Sequence, residues 1–384
     1  MKTFRRAIFW MHLSAGVLAG LVIFMMSLTG VLLTYERQIV AAAERGLVEK
    51  IDGQRLPADE FAALAFTYGE NVRVEIPSNP KAPVKIFEGR KQFLLHPVTG
   101  ELLLEGNTAT DKFFAKVMAF HRWFALEGEA RKTGRAITGG ANLLFIFLAI
   151  SGLYLWLTPS LRWVLVKSKL LFNASPPTGK ARDYNWHHVF SIWMLVPIIA
   201  MAMTATIFYY PWANKILFAA YGEEPQAGRG SPPTPVELPD FNMGNDPLSI
   251  EERMQRAASF NPNWKRISFP AQSAFDEPIF FSVDTGNGAR YQNKFETVIA
   301  PDGALLSTDR PSDRRTAGMR ARIFARYLHT GEIFGFIGQT LAGLGSIAGM
   351  FLVWTGLALS YRRLIRPVLQ KRRVGRLDRN QYSM

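Results

Sequence analysis

Not one of the 384 residues is a cysteine. That absence removes disulfides, thiolate zinc sites, iron–sulfur clusters and the thioether attachment of a c-type haem, each of which takes sulfur from the protein. A redox metal in this chain has only His, Met or carboxylate for ligands, and histidine is scarce, at six residues. Charge is missing in four places. No Asp, Glu, Lys or Arg stands between Arg6 and Glu36, between Arg135 and Arg162, between Asp183 and Lys215, or between Glu332 and Arg362. Each run exceeds the roughly 20 residues that a helix needs to cross a bilayer core, which excludes a soluble protein and makes the lipid bilayer a partner. The mean hydropathy of +0.03 is then an average over two materials. The remaining segments carry 45 basic residues against 31 acidic ones, a net charge of +14. No zinc-finger, RNA-recognition or helix-turn-helix pattern accompanies that excess, so no nucleic acid is expected as a partner.

These runs divide the chain into a first transmembrane helix (1–35), an outer segment (36–110), an amphipathic stretch with a second transmembrane helix (111–161), a loop (162–183), a third helix (184–214), a second outer segment (215–328), a fourth helix (329–361) and a basic tail (362–384). The first apolar run is about twice the usual length of a signal-peptide core, so it reads as an uncleaved anchor. Short segments set orientation through their Lys and Arg content. Lys2, Arg5 and Arg6 at the N-terminus, Arg162, Lys167, Lys169, Lys180 and Arg182 in the loop, and Arg362, Arg363, Arg366, Lys371, Arg372, Arg373, Arg376 and Arg379 in the tail place all three on the cytoplasmic side, both termini included. The two long segments then face the periplasm, in the inner membrane of a Gram-negative source. Arg310, Arg314, Arg315, Arg320, Arg322 and Arg326, beside the fourth run, stand against this rule.

The first outer segment reads as a short helix over 58–68 and strands at 72–76, 84–87, 92–95 and 101–104, with a turn at Pro97-Val98-Thr99-Gly100. A weaker copy follows, with a helix over 249–259, strands at 264–269, 279–283, 296–300 and 304–307, and a turn at Pro301-Asp302-Gly303. The fold expected is therefore an α-helical membrane protein, four transmembrane helices in a bundle with two small periplasmic α+β units. The proline-rich stretch 225–239 reads as an extended, flexible linker.

The placement of the histidines is the most informative feature. His12 lies about two turns inside the first span, His187 and His188 open the third, His329 precedes the fourth, and His121 sits on an apolar stretch ahead of the second. Only His96 belongs to an outer unit. With the stated orientation, His12 and His187 or His188 share a depth near the inner face, and His121 and His329 share the outer face. Ionisable groups in spans are functional candidates, because an unpaired imidazole there costs free energy. Paired imidazoles between helices suit haem b, whose iron accepts a neutral ring nitrogen on each side and, with both axial positions filled, carries electrons only. Two such haems, one near each face, form a transmembrane wire. The competing reading makes each interfacial His a structural hydrogen-bonder. His187 and His188 point about 100° apart on a helix and cannot both face one iron; His187 is preferred.

Each span also carries a small or polar step: Ser27-Leu28-Thr29-Gly30, Ser151-Gly152, Thr204-Ala205-Thr206 and Thr355-Gly356. Close approach to a macrocycle and plain helix packing explain these equally well. Trp10, Trp156, Trp163, Trp186, Tyr209, Tyr210, Trp212 and Tyr361 fall where interface anchors belong. The arginines from Arg310 to Arg326 admit three roles: solvated charge, partners for haem propionates, or a dock for an anionic substrate. Arg122 and Arg326, each beside an outer histidine, best fit the second. Glu332 could bond to an imidazole, carry a proton or cap its helix. Gly343, Gly345 and Gly349 follow no strand and are no dinucleotide fingerprint, and nothing binds a nicotinamide or flavin recognisably.

The stretches that include Phe120-His121-Arg122, Ser151-Gly152-Leu153-Tyr154-Leu155-Trp156, Asn185-Trp186-His187-His188, Tyr210-Pro211-Trp212-Ala213-Asn214, His329-Thr330-Gly331-Glu332 and Trp354-Thr355-Gly356 jointly resemble the PepSY-associated transmembrane-helix family, and within it the FoxB-type siderophore iron reductases. The outer unit ending His96-Pro97-Val98-Thr99-Gly100-Glu101 is similar to a PepSY repeat, in which that position belongs to a strand and turn. The resemblance implies two haem b groups held by His12, His187, His121 and His329, and electrons passed outward to a ferric siderophore, which then releases Fe(II). The donor expected is a quinol or a separate cytoplasmic reductase. The rival expectation is a haem-free PepSY membrane protein that transports a siderophore or regulates a protease.

Overall fold

The computed structural model describes residues 2–49, 52–157, 163–225, 233–241, 247–271, 276–288 and 290–370. Arg162, Pro232 and the tail cations Lys371, Arg372, Arg373, Arg376 and Arg379 lie outside them. The helices are α1 (Lys2–Leu33), α2 (Glu36–Arg45), α3 (Ala58–Ala65), α4 (Ala109–Trp123), α5 (Ala130–Trp156), α6 (Trp163–Leu170), α7 (Gly179–Trp193), α8 (Leu195–Tyr209), α9 (Pro211–Ala219), α10 (Ile250–Ser259), α11 (Ala317–His329) and α12 (Gly335–Leu364). The strands are β1 (Val72–Pro77), β2 (Val84–Glu88), β3 (Lys91–Leu95), β4 (Leu102–Glu105), β5 (Arg266–Pro270), β6 (Ile279–Asp284), β7 (Lys294–Ile299) and β8 (Leu305–Asp309). The chain forms two units. One gathers Met1–Thr34, Lys116–Asn214 and Leu328–Met384; the other gathers Tyr35–Ala115 and Lys215–Tyr327.

The first unit is helical. Among the described residues, α1, α5 and the Glu332–Gln370 stretch containing α12 are each long and apolar enough to cross a membrane. The third run, expected as one helix, is broken: α7 and α8 meet at a 65° bend and make a fourth crossing only as a pair. Pro197 explains the break, because it has no N–H for the Trp193 carbonyl and its ring crowds that carbonyl. Two boundaries also move. α7 begins at Gly179, ahead of Asp183, and α12 runs on to Leu364, so Arg362 and Arg363 occupy its last turn rather than a tail. α1 packs on α5 and α12, α12 on α7 and α8, and α5 on α8. The α1–α12 contact is close because a Cβ at Gly349 would stand 2.6 Å from Ser27 Oγ. Leu18, Leu21, Val196 and Ile337 are 72 to 78 % exposed, the apolar outer face that a lipid solvent requires. At one end of the unit cations take the last carbonyls of α5: Arg5 donates to Leu157 and Leu155 O, and Lys169 to Trp156 O at 2.8 Å. Buried Asp183 pairs there with Arg362 of α12.

The second unit corrects the expectation of two separate outer domains. Its strands form one antiparallel sheet in the order β4-β3-β2-β1-β5-β6-β7-β8. Each sequence half supplies four strands, and the halves join where β1 pairs β5, with Val74 opposite Phe269 and Ile76 opposite Ile267. A four-stranded half would leave the edges of β1 and β5 open; pairing them removes both. β1 alternates buried and outward residues, as a half-buried strand should. α3 and α10 cover the buried face, where Phe61, Phe269, Phe281, Ile267, Ile299 and Met254 share one core. The two helices cap each other. Asp59 accepts from the Ile250 and Glu251 amides at 2.9 and 3.0 Å, and Glu251 accepts from the Ala58 amide at 2.8 Å. Phe281→Ala is expected to cost about 3–5 kcal/mol, read as a lower melting temperature for this unit.

Two members of the arginine cluster bond within the sheet unit. Arg314 pairs with Glu296 at 2.5 Å and donates to Thr234 O, and Arg310 donates to Gln292 O while lying over Phe295. Arg310 is also exposed, as the solvated reading expects, while Arg314 is largely taken up by these internal partners. The Thr234 bonds also pin the described part of the stretch read as a flexible linker.

Candidate functional site

The helical unit brings His12 on α1 and His187 on α7 together, with ring centroids 6.5 Å apart and planes at 84°. Each ring is held from a third helix by a hydroxyl. His12 Nδ1 lies 2.9 Å from Ser151 Oγ on α5, and His187 Nδ1 lies 2.9 Å from Thr355 Oγ1 on α12. Both hydroxyls are themselves committed to their own helices: Ser151 donates to Phe147 O and Thr355 to Phe351 O, each at 2.6 Å. The residue after each hydroxyl is a glycine facing the ring. A Cβ at Gly152 would stand 3.3 Å from His12 Cε1, and one at Gly356 3.4 Å from His187 Cε1, so the rings approach helix backbone that side chains would hold off.

A second pair repeats the design. His121 Nδ1 on α4 lies 2.9 Å from Thr29 Oγ1 on α1, and Thr29 donates to Met25 O at 2.8 Å. His329 at the end of α11 is held by α8, its Nδ1 2.9 Å from Met201 O and 3.3 Å from Thr204 Oγ1, which donates to Ala200 O. His121 and His329 lie within electrostatic reach of one another. All four rings are half-buried, and Nε2 of each meets no hydrogen-bond partner among the described residues.

The two pairs are related by an internal repeat. Seventeen residues separate His12 from Thr29 and His187 from Thr204, about 25 Å along a straight helix. The first half contributes His12, Thr29, His121 and Ser151; the second contributes His187, Thr204, His329 and Thr355. Every hydroxyl holds a ring of its own half, and each ring pair takes one imidazole from each half. The Ser and Thr steps were visible in the sequence, but not their engagement with the imidazoles. The shared spacing from His to Thr is the signal that carries it.

His188 turns elsewhere. Its Nδ1 bonds to Tyr184 O one turn back at 2.8 Å, and its ring lies 4.1 Å from that of Tyr184. His96 accepts from the Val98 and Thr99 amides and belongs to a turn of the sheet unit. Arg122 is exposed over Trp123, and its carbonyl accepts from Thr138 and Tyr209, both at 2.8 Å, so Tyr209 braces the end of α4. Arg326 is exposed over Tyr327 in the sheet unit. Glu332 is buried and accepts from Thr330 at 2.9 Å.

With metal–imidazole bonds of about 2 Å and a nitrogen about 1 Å from its ring centre, two rings on opposite sides of one metal have centres about 6 Å apart. The spacing of His12 and His187 fits that arrangement. Two imidazoles fill two positions of a six-coordinate iron and leave a plane for a macrocycle, so the donor set suits haem better than a bare ion.

No curated protein matches the chain. The family model described as the PepSY-associated TM region matches residues 9–363, which takes in both imidazole pairs and all four hydroxyls. The chain therefore belongs to the PepSY-associated transmembrane family, as a multi-pass membrane protein.

Proposed function

We propose that the protein is an inner-membrane di-haem b reductase, which carries electrons across the membrane to reduce a ferric siderophore in the periplasm and release Fe(II). The observation that carries the reading is the set of four imidazoles, each fixed through Nδ1 with Nε2 left without a partner among the described residues, arranged as two pairs. A buried structural histidine would use both nitrogens. Here one nitrogen is spent on orientation and the other is presented. When bound, a haem at each pair supplies a one-electron Fe(III)/Fe(II) couple.

The protein's own part is to hold, space and shield. His12 and His187 present one pair of Nε2 atoms and would hold one haem, and His121 and His329 present the other pair and would hold the second. The separation of about 25 Å between His12 and Thr29 along α1 divides a core about 30 Å thick into shorter steps than one site could. Arg5 of α1, Lys169 of α6 and Arg362 of α12, gathered at one end of the unit, favour that end as the cytoplasmic side, which turns the pair of His12 and His187 toward the donor, a quinol or a cytoplasmic reductase. Arg122, beside His121, offers a charge partner for a propionate.

The experiment is a pyridine haemochrome count on the purified protein. Two haem b per chain supports the reading, and a colourless protein that takes up no added haem returns it to the haem-free transporter or regulator.

A further inference from the structure

We infer that Ser151, Thr29 and Thr355 are positioning residues that set the electron donation of His12, His121 and His187, and that at His329 the Met201 carbonyl outweighs the hydroxyl. The inference rests on the haem reading above, but it concerns hydroxyls that the reading does not need.

A hydroxyl has one proton. Short bonds to Phe147 O, Met25 O and Phe351 O commit that proton to each residue's own helix. The oxygen is then only an acceptor toward the ring, so the Nδ1 facing it carries the hydrogen. The lone pair is left on Nε2, the tautomer an axial ligand requires. A hydroxyl free to rotate could donate to Nδ1 and stabilise the opposite tautomer. Back-bonding removes that choice at three rings, and the glycines after Ser151 and Thr355 let the rings come close enough to use it.

The fourth ring differs in degree, since the Met26 and Leu352 carbonyls also lie within bonding reach of His121 and His187 beside the hydroxyls. His329 Nδ1 is nearer the Met201 carbonyl, at 2.9 Å, than Thr204 Oγ1, at 3.3 Å. A carbonyl has no proton to donate, so it fixes the same tautomer without help from the hydroxyl. An acceptor on Nδ1–H makes the ring a stronger donor through Nε2 and stabilises Fe(III) over Fe(II). Removing the acceptor must then raise the midpoint potential of the haem that the ring serves.

The test is potentiometric titration of both haems in the full-length protein and in Ser151→Ala, Thr29→Val, Thr355→Val and Thr204→Val, beside Ser151→Thr, Thr29→Ser and Thr355→Ser. The first three should move one haem to a more positive midpoint and leave the other in place. Ser151→Ala and Thr355→Val should act on the same haem, Thr29→Val on the other. Thr204→Val should shift least, and the hydroxyl-keeping variants should stay at the wild-type values. If a variant without the hydroxyl sheds its haem, retention by its hydroxyl-keeping partner supports the inference, and equal loss in both overturns it. Unchanged potentials in the first three also overturn it and leave the di-haem reading intact. A wild type without haem overturns both.

Discussion

Replacing His329 by Ala leaves a protein with one haem in place of two and no reduction of an external ferric chelate, while the remaining haem is still reduced by the donor. The ring sits at the last residue of α11, held by α8 through Met201 O. No neighbouring histidine can substitute for it, because His121 already stands on the other side of that pair. Losing even a residue that only supports a ligand costs 10–100-fold in metal affinity, so losing the ligand itself should reduce outward electron delivery by on the order of 100-fold or more. His12→Ala should produce the complementary failure, with a haem kept at His121 and His329 that the donor no longer reduces. Haem counts, spectra of the donor-reduced protein and Fe(II) trapped by a chromogenic chelator read both variants. Wild-type chelate reduction by His329→Ala would break the proposed path.

His187→Ala and His188→Ala should separate completely, although the residues are adjacent. His187 faces His12 and is braced by Thr355 on α12, while His188 spends its Nδ1 on Tyr184 O and lies tilted against that residue's ring. His187→Ala should lose the haem of that pair, and His188→Ala should keep both haems with unchanged spectra. Equal losses would mean that the helix presents the other imidazole when loaded.

Sequence revealed most where burial in lipid leaves a coarse mark. Four uncharged runs locate the apolar stretches, and the matched depths of His12 with His187 and of His121 with His329 place the pairs. Finer features depend on geometry that composition does not encode. The third run breaks because Pro197 leaves the Trp193 carbonyl without a donor, a signal present in the sequence but hidden by the unbroken apolarity around it. The two half-sheets looked separate because periodicity describes one strand at a time, whereas the β1–β5 pairing is a property of two edges. The internal use of Arg310 and Arg314 was missing from the three roles read for the arginine cluster, because their partners, Gln292, Glu296 and Thr234, are brought near by the sheet. Ser151, Thr29, Thr204 and Thr355 read equally well as helix-packing or macrocycle-contact residues, because a hydroxyl bonded back to its own helix looks satisfied. Its second role appears only with the ring beside it.

Reduction across a sealed bilayer tests the account most directly. The haem-loaded protein is reconstituted into liposomes with a reductant trapped inside, a ferric siderophore is added outside, and Fe(II) formed outside is followed with a membrane-impermeant chelator. The account predicts Fe(II) outside only in vesicles that contain the protein, with the signal abolished by His12→Ala and by His329→Ala and retained by His188→Ala. Vesicles whose protein holds two haems that the trapped reductant reduces, yet that form no external Fe(II) above the protein-free rate, would contradict it.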